Sequence, residues 1–182
     1  MPARIPMTEK QRDALLALPA TEDEVVRYHS LDENDLAAIR EARTPETRLG
    51  YALQLCCLRY PGRHLQKNEL LPAMMLDHIA DQIDVEADVI AVFARRFQTR
   101  YEQLASIQRR YGFRDLTQPI RKELTAWLAE EAIRLTDGKI LLEKLMGKMR
   151  AERIIIPGIS VIERMAGEAM HASDSKVTVE IH

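Results

Sequence analysis

The sequence predicts an all-α protein of two packed helical modules, and three observations carry that expectation. Helix-start signals recur along the chain, glycine is scarce at seven of 182 residues, and apolar residues repeat at three- and four-residue spacing rather than alternating. Hydrophobic residues make up 46% and charged residues 30%, enough for a real core under a solvated surface. The formal net charge is −2, so any affinity for a polyanion has to come from local patches and not from a global field.

The start signals come first. Thr8-Glu9-Lys10-Gln11 and Thr21-Glu22-Asp23-Glu24 read as capping boxes, in which a threonine oxygen and a side chain three positions on satisfy otherwise orphaned amides. Asp32 caps a third, short helix to about Arg40. Thr44-Pro45 opens a longer one with proline at its favoured first position. Leu49, Ala52, Leu53, Cys56 and Tyr60 share one face of it, and Pro61-Gly62 ends it.

Further along, Pro72 starts a helix through Ile83, and Asp84 caps a short one to about Ala94 or serves as a left-handed turn residue. Thr99 caps a helix that stops at Gly112, and Thr117 leads another to about Leu135. Lys139 to Arg150 follows the Thr136-Asp137-Gly138 break. Ser160-Val161-Ile162-Glu163 reads as a third capping box, opening a last helix to about His171. The polar, alternating SDSKVTVEIH is expected to fray. The modules are accordingly drawn as 1–62 and 63–172, with 173–182 as a tail or linker.

The dense stretch RLGYALQLCCLRYPGR, from Arg48 to Arg63, combines adjacent cysteines with flanking arginines. Neighbouring positions on a helix point about 100° apart, which suits neither a disulfide nor a shared metal. No CxxC or HxxxH spacing accompanies them, so Cys56 and Cys57 read as small core residues and no metal or other cofactor is expected. Arg48, Arg59 and Arg63 lie off the apolar stripe and are left without a packing role.

Three constellations remain. Leu76 to Phe93 has the apolar spacing of a helix-turn-helix pair around the small Ala80, although Glu86 and Asp88 open its second helix and would repel phosphate. Arg95 to Lys122 gathers Arg95, Arg96, Arg100, Arg109, Arg110, Arg114, Arg121 and Lys122 with interleaved aromatics. Cations that neutralise phosphates release counterions, so such a cluster supplies sequence-independent affinity for a nucleic acid, and Thr99 adds a hydroxyl beside helix-terminal amides. Lys144 to Arg164 pairs a basic helix with a second one across Pro157-Gly158. Each pattern also fits a plain solvated face or a helical hairpin.

An enzyme has no support here. His29, His64, His78, His171 and His182 are scattered, and there is no nucleophile elbow, phosphate loop or HExxH. No run approaches the ~18 apolar residues of a membrane span, and MPARIPMTEK lacks the apolar core of a signal peptide. The chain is therefore expected in the reducing cytoplasm, with its cysteines as thiols.

Taken in order, MTEKQRDALLALPATEDEVVRYHSLDENDLAAIREAR, RLGYALQLCCLRYPGR, FARRFQTRYEQL and RIIIPGISVIERM resemble the N-terminal region of bacterial replicative transposases of the Tn-three family, from about Met7 to Ala172. The resemblance implies helical modules, similar to helix-turn-helix domains, that recognise the transposon's terminal inverted repeats in double-stranded DNA. It implies that cleavage and strand transfer lie in a distant ribonuclease-H-like domain, so that this chain binds DNA without cutting it. The partners it implies are double-stranded DNA, the downstream domains of the same transposase, and a second copy in a full-length homodimer. Arg48 and Arg63 match the first arginine block, Arg95, Arg96, Thr99 and Arg100 the second motif, and Pro157, Gly158, Ser160 and Arg164 the last. The expected DNA-binding set is the arginines, Thr99 and Ser160 of these motifs with Arg109, Arg110, Lys148 and Arg153 from the basic stretches. The alternative of another class is a helical interaction or assembly module without DNA specificity.

Overall fold

The computed structural model describes residues 5–180, apart from the side chains of Phe97 and Glu180. Residues 1–4 and 181–182, and with them His182 and the end of the expected tail, lie outside the described residues. The regular elements among the described residues are ten α-helices and one 3-10 turn, with no strand, so the protein is all-α as expected. They are α1 (Glu9–Leu15), α2 (Glu22–Tyr28), α3 (Glu33–Arg40), α4 (Pro45–Arg59), α5 (Ala73–Gln82), the 3-10 turn Ala87–Val89, α6 (Ile90–Phe93), α7 (Phe97–Tyr111), α8 (Gln118–Ala132), α9 (Gly138–Ala151) and α10 (Ile159–Glu180).

Local chemistry sets the first four starts. Thr8, Thr21, Asp32 and Thr44 each accept a hydrogen bond from the amide three residues on, and each is answered by a side chain at that position. Pro45 follows Thr44 at the first turn of α4, where its missing N–H costs nothing. Asp84 takes the left-handed option with φ 55°, and Val85 N donates to Ala80 O at 3.1 Å, closing α5. Asp84 therefore ends one helix and caps none.

The second half of the expected helix-turn-helix pair is correspondingly small: a 3-10 turn and the four residues of α6. Two other start signals also resolve differently. Thr99 lies inside the first turn of α7, whose N-cap is Arg96, because Arg96 N has already turned back onto Phe93 O at 2.9 Å. Ser160 lies inside α10, and its would-be capping partner Glu163 is drawn instead to Arg12 Nε at 2.6 Å. Helix α10 runs past His171 to Glu180 and replaces the frayed tail. Ser173, Ser175 and Thr178 return their hydroxyls to Met170, His171 and Asp174 carbonyls, so these polar residues satisfy themselves along the helix.

The chain divides into two compact units, Leu18–Arg114 and the two flanking stretches Met1–Ala17 and Asp115–His182. The boundary expected at Gly62 runs through the middle of the first. The reason is α4, which buries Leu49 through Leu58 on every side. Its neighbours α3, α5, α6 and α7 come from both sides of Gly62 in sequence. Pro61-Gly62 ends a helix and not a unit. The flanking unit has its own core, in which Ile5 and Leu16 join Leu128 of α8, Leu141 and Leu145 of α9, and Met165 of α10. Gly138 admits Ile5 there, since a Cβ on it would meet Ile5 Cγ2 at 2.9 Å.

Candidate nucleic-acid interface

The arginines that the apolar stripe left unexplained are largely structural. Arg59 donates to both oxygens of the buried Asp35 at 2.7 and 2.8 Å and lies over the Tyr111 ring, 5.3 Å from its centroid. Burial alone would raise the Asp35 carboxyl, but the Arg59 guanidinium and the Asp32 backbone amide outweigh it and hold the group below the ordinary aspartate range. Arg63 likewise donates to both Glu69 oxygens at 3.0 and 2.6 Å and to His64 O at 3.0 Å. Arg100 donates to Leu65 O from a half-buried position. The expected DNA contacts Arg63 and Arg100 are thus engaged within their own unit. Burial pushes the Cys56 and Cys57 thiols up to about 12, as fits small residues packed into the core.

A different set of cations comes together at the α3–α4 connection. Arg40 ends α3 and Arg43 sits in the connection, both exposed and both without a side-chain hydrogen bond or ion pair among the described residues. Arg48 Nε donates to Ala42 O at 2.9 Å and ties the connection to the first turn of α4. Helix α7 crosses α4, with Gln103 Nε2 donating to Thr47 O at 2.8 Å and Ile107 fully buried. Near the start of α7, Arg96 pairs with Glu46 at 3.2 Å, and at its end Arg110 pairs with Glu41 at 3.0 Å. The segment Arg40–Arg48 therefore carries three arginines of its own and receives Arg96 from the residue before α7 and Arg110 from its last turn. Glu41 and Glu46 are its carboxylates.

Arg95 and Arg109 are exposed on the same unit and form no ion pair among the described residues. Thr99 is half-buried and caps nothing. The remaining expected contacts belong to the flanking unit. Lys148 pairs with Glu152 at 2.9 Å and lies 4.7 Å from the centroid of the Trp127 ring. Arg153 is exposed with a left-handed φ of 56°, and Ser160 and Arg164 are exposed on the first turns of α10. Lys144 pairs with Glu131. Arg40 and Arg43 were missing from the expected set. They lie outside the arginine-rich stretch, on the segment to which Glu41 and Glu46 bring Arg110 and Arg96.

Among the described residues no group of three or more His, Cys, Asp or Glu side chains is placed to hold a metal ion, and no helix is long and apolar enough to cross a membrane.

These two helical units coincide with a known family. Residues 7–169 match the family described as "Domain of unknown function (DUF4158)", and the chain belongs to it. Its similarity extends to curated transposases, which places it with the Tn-three family. It is 34% identical over 177 residues to the transposase for transposon Tn21 of Escherichia coli and 33% identical over 177 residues to that of Tn3926, also of Escherichia coli. To the transposase for transposon Tn501 of Pseudomonas aeruginosa it is 31% identical over 182 residues. In each case 97% of this chain is covered and 18% of the relative, so the chain spans under a fifth of the length of the transposases it matches.

Proposed function

We propose that this chain is the part of a Tn-three transposase that grips double-stranded DNA at the terminal inverted repeats, and that it holds the DNA without cutting it. The observation that carries this reading is the convergence of Arg40, Arg43, Arg48, Arg96 and Arg110 on one short segment of a unit that is otherwise rich in carboxylates. A phosphate backbone rewards clustered cations through counterion release, whatever the charge of the whole protein. Arg40 and Arg43, exposed and with no partner among the described residues, suit phosphate contacts that set register. Arg48 is held in one orientation by the Ala42 carbonyl, and a fixed guanidinium suits a guanine edge in the major groove. Lys148, Arg153, Ser160 and Arg164 supply a second set of contacts from the flanking unit. The relatives support the reading because each is named a transposase for a particular transposon.

A second reading, an assembly module, rests on an open groove of about 730 Å³ between α8 and α10, with an apolar floor that includes Pro119, Ala126, Ala129 and Ala172. A binding isotherm separates the two. Fluorescence anisotropy with a terminal inverted-repeat duplex and an unrelated duplex, repeated from ~50 to ~200 mM salt, should give a cognate preference and a steep salt slope. Equal and salt-insensitive signals with both duplexes would leave the assembly module standing.

A further inference from the structure

Two carboxylates, Glu41 and Glu46, sit within the arginine patch, and their role rests on the proposed grip on DNA. We infer that Glu41 and Glu46 act as built-in counter-anions that lower the affinity of the patch for DNA of unrelated sequence. Glu41 meets Arg110 at 3.0 Å and Glu46 meets Arg96 at 3.2 Å. Both arginine side chains remain open to solvent, 43% exposed for Arg110 and 47% for Arg96, so a phosphate can reach them. The Arg110–Glu41 pair, exposed on both sides, contributes little to folding, and in both pairs the solvent-facing arginine is the side that an incoming polyanion meets.

A duplex that offers only phosphates meets two guanidinium groups already neutralised. To use Arg110 or Arg96 it has to displace a carboxylate, which then stays beside the phosphates and repels them. The exchange swaps one charge-assisted hydrogen bond for another and releases fewer counterions than an uncovered arginine would. Arg40 and Arg43 carry no such cover and set the floor of sequence-independent binding. Glu46 is the more permanent of the two covers, since its side chain is only 15% exposed where that of Glu41 is 67% exposed.

The test uses the whole chain and a short duplex of unrelated sequence. Glu41→Gln and Glu46→Gln should each tighten binding severalfold at low salt and steepen the log–log salt dependence by about 0.9 for each arginine uncovered. The gain from Glu41→Gln should disappear in an Arg110→Ala background, and that from Glu46→Gln in an Arg96→Ala background. As a control for net charge, Asp77→Asn with Asp81→Asn alters two exposed carboxylates of α5 that pair with no arginine among the described residues, and should leave the slope unchanged. A parent chain that binds while the glutamine variants keep its slope, or bind more weakly, overturns this inference and leaves the proposed function intact. If neither parent nor double glutamine variant binds any duplex, both are overturned. A double variant that binds where the parent does not supports the inference outright.

Discussion

Arg59 holds Asp35 with both arms of its guanidinium, and the carboxylate it holds is 1% exposed. The contact joins the last turn of α4 to the first turn of α3, where Asp35 also answers the Asp32 cap. Removing one partner of a buried pair strands the other. Asp35→Ala should therefore cost about 3 kcal/mol, near the low end for such pairs because Arg59 still reaches solvent. Urea unfolding of parent and variant measures this.

The same carboxyl makes stability depend on pH. Its pKa is depressed below the ordinary 3.8 in the folded chain, so its contribution is fully present above that value and is lost as the pH falls through the lower folded-state value. Glu69, held by Arg63 below the ordinary 4.5 against the opposing effect of burial, adds in the same direction. The urea midpoint should fall as the pH drops below about 4, and Asp35→Asn should flatten that decline.

Arg40→Ala and Arg43→Ala should each weaken binding to cognate and unrelated duplexes alike and reduce the salt slope by about 0.9. Arg63→Ala should behave oppositely, lowering the urea midpoint while leaving the slope as it is, because its guanidinium is spent on Glu69. Anisotropy titrations at several salt concentrations read both effects.

Gly50 is the point at which α6 enters the unit. A Cβ there would lie 2.2–2.4 Å from atoms of the Phe93 ring, which is itself buried. Gly50→Ala should destabilise by roughly 1–3 kcal/mol despite the better helix propensity of alanine. In a Phe93→Leu background the penalty should shrink, and a double-mutant cycle measures the coupling.

Cys56 and Cys57, with thiols raised to about 12 by burial, should resist an aromatic disulfide reagent at neutral pH. They should react at once when the chain is unfolded in guanidinium.

Short-range chemistry was legible in the sequence. The Asp32 cap, the Pro45 start and the Gly112 stop are each decided by residues within a turn of one another, and the structure places α3, α4 and the end of α7 accordingly. What escaped was decided at long range. Ser160 and Glu163 have the spacing of a capping box, but Arg12, 151 positions earlier, takes the glutamate. The family motifs singled out Arg63 and, together with arginine density, Arg100, which the fold uses up on Glu69 and the Leu65 carbonyl. Neither included Arg40 and Arg43, whose segment receives Arg96 and Arg110 through the fold, on Glu46 and Glu41. Charge read locally measures composition, whereas a binding surface depends on which carboxylates the fold brings alongside.

The route of the chain has a last consequence. Helices α2 to α7 form their unit from one uninterrupted run, while α1 has to wait for α8, α9 and α10 before its apolar side has a home. On a ribosome that delivers the chain from its N-terminus at about 5–20 residues per second, the inner unit can mature while the opening helix is still solitary. A nascent-chain proteolysis series should then show protection of 18–114 well before Ile5 and Leu16 become shielded.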